Sequence, residues 1–139
     1  MKLPALVLTS LLIAACATGY SPTYSMNRVE VVNLTGATIA DVSWRVLGSD
    51  KSLACAEVAK FSICGEFFPR RRYPQSGIEV KWTHPDGERK TALLNPRVAA
   101  YFYRAFPLEI YLEIDAEGSI TAYYRQNTPD DGPRIIIDD

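Results

Sequence analysis

The sequence predicts an all-β protein, an antiparallel β-sandwich of about seven strands with immunoglobulin-like or transthyretin-like connectivity. Apolar and polar residues alternate over several short runs. The clearest sets Leu108, Ile110, Leu112 and Ile114 between Glu109, Tyr111, Glu113 and Asp115, the period of a half-buried strand. Turn residues separate the runs, Pro85-Asp86-Gly87 and Ala116-Glu117-Gly118 among them. No long stretch repeats its apolar residues at helical spacing.

Each element follows in chain order. Val29 and Val31 open a strand that Asn33-Leu34-Thr35-Gly36 closes. Val42, Trp44 and Val46 alternate with Ser43 and Arg45. Leu53 to Cys64 fits either a short helix or two short strands joined by a turn. Ile78, Val80 and Trp82 alternate with Glu79, Lys81 and Thr83. Pro85-Asp86-Gly87 then suits a type I turn closed by a glycine at positive φ, with Thr91 and Leu93 on the returning strand. Val98 to Phe106, rich in Tyr and Phe, reads as a further strand bent away by Pro107. After Leu108–Ile114 the chain turns, and Ile120, Ala122 and Tyr124 come back. The expected core is Val31, Val42, Trp44, Val46, Ile78, Val80, Trp82, Leu93, Leu108, Ile110, Leu112, Ile114, Ile120 and Tyr124. Burying one such aliphatic side chain is worth about 1.5–3 kcal/mol, so a domain of this size holds a core without a cofactor.

Composition narrows the function. The chain has 139 residues, 47% hydrophobic and 22% charged, with a formal net charge of -1. That is one domain of ordinary globular composition, not a strongly basic nucleic-acid binder. One His and three Cys make a multi-ligand zinc site or a His-based catalytic centre a poor reading. His84 precedes Pro85 in a turn and lacks the nearby nucleophile and orienting carboxylate that general-base work requires. No G-x-S-x-G, P-loop or H-E-x-x-H occurs. Alternation puts Glu109 and Glu113 on the wet face of their strand, as solubility charges. A non-catalytic protein without cofactor or metal is expected.

Residues 1–15 read as a signal peptide: one charge at Lys2, an apolar run from Leu3 to Ile13, then Ala14 and Ala15. The run is near eleven residues long, against about 20 for a membrane-spanning helix. Ile13-Ala14-Ala15-Cys16 resembles the lipobox of bacterial lipoproteins. The resemblance covers this segment only. It implies that Cys16 becomes the first residue of the mature chain and carries the lipid, palmitate included. Ala17, where Asp would signal inner-membrane retention, implies the outer membrane, with the domain facing the periplasm. Ordinary secretion with cleavage after Ala17 is the competing reading, since Ala15-Cys16-Ala17 also fits A-x-A. Residues 16–27 then form a linker, 28–126 the sandwich and 127–139 a tail whose Ile135-Ile136-Ile137 suits an edge strand.

Cys55 and Cys64 are left as a pair, expected to form a disulfide in an oxidising compartment. Closing so short a loop contributes about 2.5–3 kcal/mol.

The remaining candidate site is Phe67-Phe68-Pro69-Arg70-Arg71-Arg72-Tyr73-Pro74. Prolines stiffen it, and Arg and aromatic residues are enriched at interface hot spots. Phe68, Arg70, Arg71, Arg72 and Tyr73 are the candidate partner-binding residues, for an acidic protein, lipopolysaccharide phosphates or peptidoglycan carboxylates. The plainer reading is a solvated basic loop with Phe67 and Phe68 in the core. Tyr101, Phe102, Tyr103 and Phe106 form a second aromatic cluster, read as packing against a second sheet. The function expected is a membrane-anchored envelope accessory module with a protein or glycan partner and no nucleic acid. A small inhibitor or immunity-type lipoprotein, for instance against a lysozyme-like enzyme, is the alternative.

Overall fold

A computed structural model describes residues 23–74, 77–95, 106–126 and 135–136. Nine strands and no helix occur among them. They are β1 (Thr23–Asn33), β2 (Ile39–Val46), β3 (Ser52–Val58), β4 (Ile63–Pro74), β5 (Ile78–Thr83), β6 (Arg89–Leu94), β7 (Leu108–Ile114), β8 (Ile120–Gln126) and β9 (Ile135–Ile136). One sheet has the order β4-β1-β7-β8-β9 and the other β3-β2-β5-β6. Every pairing is antiparallel except that of β1 with β7. The fold is a β-sandwich. An immunoglobulin-like sandwich keeps its first two strands in one sheet; here β1 and β2 lie in opposite sheets, leaving the transthyretin-like connectivity of the two expected.

The core fills the space between the sheets. Val31, Val42, Trp44, Val46, Ile78, Val80, Trp82, Leu108, Ile110, Leu112, Ile114 and Tyr124 are buried, as alternation predicted, and Ile120 packs against them partly buried. Leu93 is a correction, at 55% exposed. The β5–β6 turn pairs Trp82 with Lys90, so Ala92 and Leu94 share the inward face and Leu93 points out. A one-residue offset in register exchanges the faces of a whole strand. The turn itself is as expected: Gly87 has φ 87, and its N–H donates to the His84 carbonyl at 2.8 Å.

One open reading is settled and two expectations change. The segment Leu53 to Cys64 resolves as two strands and a turn, and Phe67–Pro74 is the second half of strand β4, not a loop. The sandwich begins before residue 28: Ser25 and Met26 are buried in β1, paired with Arg72 and Arg71. A bulge between Met26 and Arg28 resets the alternation, so that Met26, Val29 and Val31 all reach the core. The disulfide joins Cys55 of β3 to Cys64 of β4 and so fastens one sheet to the other along one side. Of the aromatic cluster, Tyr101, Phe102 and Tyr103 lie outside the described residues; Phe106 is 38% exposed just before β7.

Candidate functional site

The expected site falls on the outer strand of its sheet, and the structure divides its residues. Phe68 and Tyr73, expected on the partner surface, are core side chains. Their rings meet edge-on with centroids 5.7 Å apart, and Phe68 lies 6.4 Å from Trp44. Arg70, Arg71 and Arg72 are all exposed. A regular strand would turn one of three consecutive side chains inward. The edge position and the bulge opposite Phe68–Arg70 leave all three at the surface.

Each arginine is held differently. Arg70 Nε donates to Ser25 Oγ at 2.8 Å. Arg71 donates to the Tyr73 hydroxyl at 2.9 Å and to Asp50. These contacts, the tyrosine's first, hold its guanidinium above the usual arginine value. Arg72 stands opposite Ser25 and makes no ion pair among the described residues. Lys51 sits with its Nζ 4.6 Å from the Phe68 ring and pairs with Glu66. A shallow cavity of about 200 Å³ lies between Lys51, Phe68, Pro69, Arg71 and Tyr73. The arrangement is a rigid cationic surface on an aromatic base, suited to anions and lacking an oriented acid–base pair. His84 is buried in its turn with Nδ1 unpartnered. Among the described residues no three His, Cys, Asp or Glu side chains converge to hold a metal.

Two features were not anticipated. The first crosses the outer face of the larger sheet. Glu109, expected on a wet face, is 2% exposed. It accepts from the Tyr111 hydroxyl at 2.6 Å and from Arg125 Nε at 2.7 Å, with Arg28 3.8 Å away. Arg28 also pairs with Glu30 and lies against the rings of Phe67 and Tyr111, 4.1 and 5.3 Å from their centroids. Burial first, then the bond to Glu109, pushes the Tyr111 hydroxyl up to about 12. Arg28, Glu109 and Arg125 share one row because β1 and β7 are adjacent in parallel. Nothing in the local sequence signals that adjacency.

The second is an apolar tip at the end of the sandwich where β1 stops and β4 starts. Leu34, Phe61 and Ile63 are 40%, 70% and 51% exposed there. Asn33, fully buried, builds the tip. Its amide donates to the carbonyls of Ala37 and Val58, and its Oδ1 accepts from the Thr35 N–H. Its backbone carbonyl accepts from the Phe61 N–H at 2.8 Å. Phe61 has φ 58, a left-handed conformation that costs an ordinary L-residue about 1–2 kcal/mol. The turn therefore holds an exposed aromatic ring where glycine would be the relaxed choice. Asn33-Leu34-Thr35-Gly36 marked a turn in the sequence, but its joining to Phe61 depends on tertiary contacts.

No known protein family matches the chain, and no curated protein matches it. Among solved structures the chain is similar to an NMR structure of a protein from Eubacterium rectale. The identity is 14%, over 81% of this chain and 97% of that one, with a TM-score of 0.44.

Proposed function

We propose that the chain is a bacterial lipoprotein, held through Cys16 in the outer membrane and facing the periplasm, whose sandwich is a non-catalytic binding module of the envelope. The use of its three cysteines carries this reading. Two of them are bonded to each other across the sheets, which suits an oxidising compartment. The third stands at the end of Ile13-Ala14-Ala15-Cys16, seven residues ahead of β1. The tip of Leu34, Phe61 and Ile63 is the surface for a protein partner, because strain and exposure there lack any benefit to the fold itself.

In-cell crosslinking with recovery of the native chain tests this, beside Cys16→Ser and Phe61→Gly variants. Palmitate labelling is expected in the native chain and absent from Cys16→Ser. One abundant envelope partner is expected with the native chain and lost with Phe61→Gly, while the purified Phe61→Gly domain gains about 0.5–1 kcal/mol from the relieved backbone. A label that persists in Cys16→Ser refutes the anchor. Equal recovery of the partner by Phe61→Gly moves its site off the tip.

A further inference from the structure

We infer that the basic end of the sandwich rests on the phosphates of anionic lipid headgroups in the leaflet that holds the anchor, and so stands the domain upright with its apolar tip outward. The inference rests on the lipid-anchor reading above and names the ligand of the Arg70–Arg72 surface.

Strand register gives the domain two ends. Thr23, where the chain enters, pairs with Pro74, and Ser25 pairs with Arg72. The β2–β3 turn, with Asp50 and Lys51, lies at the same end, since Arg45 pairs with Ser52 there and Asp50 bonds Arg71. The described charges at this end are Arg70, Arg71, Arg72 and Lys51 against Asp50 and Glu66, with two further pairs that cancel, Arg45 with Glu79 and Arg125 with Glu109. The opposite end carries Asp86 and Glu88 in the β5–β6 turn and Asp115 and Glu117 in the β7–β8 turn, with Glu57 at the end of β3. Lys60, Arg89 and Lys90 oppose them. Among the described residues the domain is thus polarised along its length, positive where the chain enters and negative at the tip.

The length of the leash decides what the positive end meets. Six residues lie between Cys16 and Thr23, and the seven steps along the chain span at most about 25 Å when fully extended. Arg72, across the ladder from Ser25, is therefore kept within reach of the leaflet. The tip lies a further β1 away, about 33 Å at strand rise. Guanidinium groups bind phosphate oxygens through paired N–H donors. The surface potential of an anionic leaflet attracts each nearby arginine by roughly a fivefold change in occupancy. The tether keeps the two surfaces at high effective concentration, so a modest attraction suffices. The acidic far end is repelled by the same field, which favours an upright over an inverted or reclining domain.

The test measures the height of the tip above the bilayer. The lipidated chain carrying Ala37→Cys at the exposed tip is labelled with a donor dye and reconstituted in vesicles whose headgroups carry acceptors. Should mass spectrometry find Cys16 unlipidated, the anchor reading fails on that measurement alone, and coupling Cys16 to a maleimide lipid supplies the same leash for the height measurement. In phosphatidylglycerol vesicles the native chain is expected to show one narrow, long donor–acceptor distance. Phosphatidylcholine vesicles, high salt or Arg70→Glu with Arg72→Glu should each broaden the distribution toward shorter distances. That variant keeps Arg71 on Asp50 and is checked for its disulfide and native circular dichroism. Arg70→Lys with Arg72→Lys should retain most of the effect. The same distribution for the native chain on both lipids overturns the proposal. So does a variant with unchanged height that loses a crosslinked protein, because the arginines would then serve that protein.

Discussion

Asn33 is the residue on which the tip turns. It is fully buried and reaches the carbonyls of Ala37, Val58 and Ala59 with one amide group while accepting from Thr35. An alanine there leaves the buried Val58 carbonyl without its partner and the Thr35 N–H without its acceptor. The expected loss is about 1–3 kcal/mol, read as a fall in Tm, with increased hydrogen exchange in residues 34–38 and 59–62. Tyr111 makes a different prediction. Its hydroxyl has an ordinary value near 10 and is raised to about 12 in the folded domain. The folded state therefore keeps a proton that the unfolded chain has released, and stability must fall as pH rises from about 10 to about 12. The contribution is complete below this window and lost through it, at most roughly 2–3 kcal/mol. Tyr111→Phe should flatten that part of the pH–stability curve, as urea unfolding across the window would show. A slope unchanged in the variant would assign the alkaline loss to other groups.

Among the elements, β4 lies tight against β1 at Gly65. A Cβ at Gly65 would meet the Val29 carbonyl oxygen at 2.6 Å and Glu30 Cα at 2.7 Å. Gly65→Ala must push β4 away from β1, and a cost of about 2–3 kcal/mol is expected, of the size that overpacking brings. Loosening should also expose the ion pair of Arg28 with Glu30, visible as faster exchange of amides 28–31. The alternation of β2, β5, β7 and β8 was legible in the sequence because each turns one regular apolar face to the core, although β7 covers its other face as well. β4 was not, because Phe67-Phe68-Pro69 and three arginines break the period, and the bulge opposite them is a property of two strands together. Leu93 shows the same limit: its face depends on how many residues the β5–β6 turn takes up. Of the candidate site, the three arginines were legible as a cluster of cations, and their exposure is what the structure adds. Phe68 and Tyr73 were not separable from them until strand direction was known, and Glu109 hid in a pattern that ordinarily means a wet face.

For the whole molecule, the disulfide is a covalent cross-link between sheets that also share side-chain packing, the Asn33–Val58 hydrogen bond and the Arg71–Asp50 and Lys51–Glu66 ion pairs. Reducing it releases a short loop, an expected loss of about 2.5–3 kcal/mol. Chemical denaturation with and without reductant measures this, and Cys55→Ser with Cys64→Ser should match the reduced protein. The loss should appear as one cooperative transition, since both sheets contribute to a single core. The strand order has a mechanical consequence as well. β1 is the first strand of the domain and an interior strand of its sheet, bonded to β4 on one side and β7 on the other. Tension arriving through residues 16–22 runs along its axis and across both ladders of hydrogen bonds. The two ladders bear that load in shear, many bonds at a time, instead of parting one after another like a zipper. If the proposed anchor pulls on the chain while the far end is gripped, both ladders take the load together before β1 begins to slip.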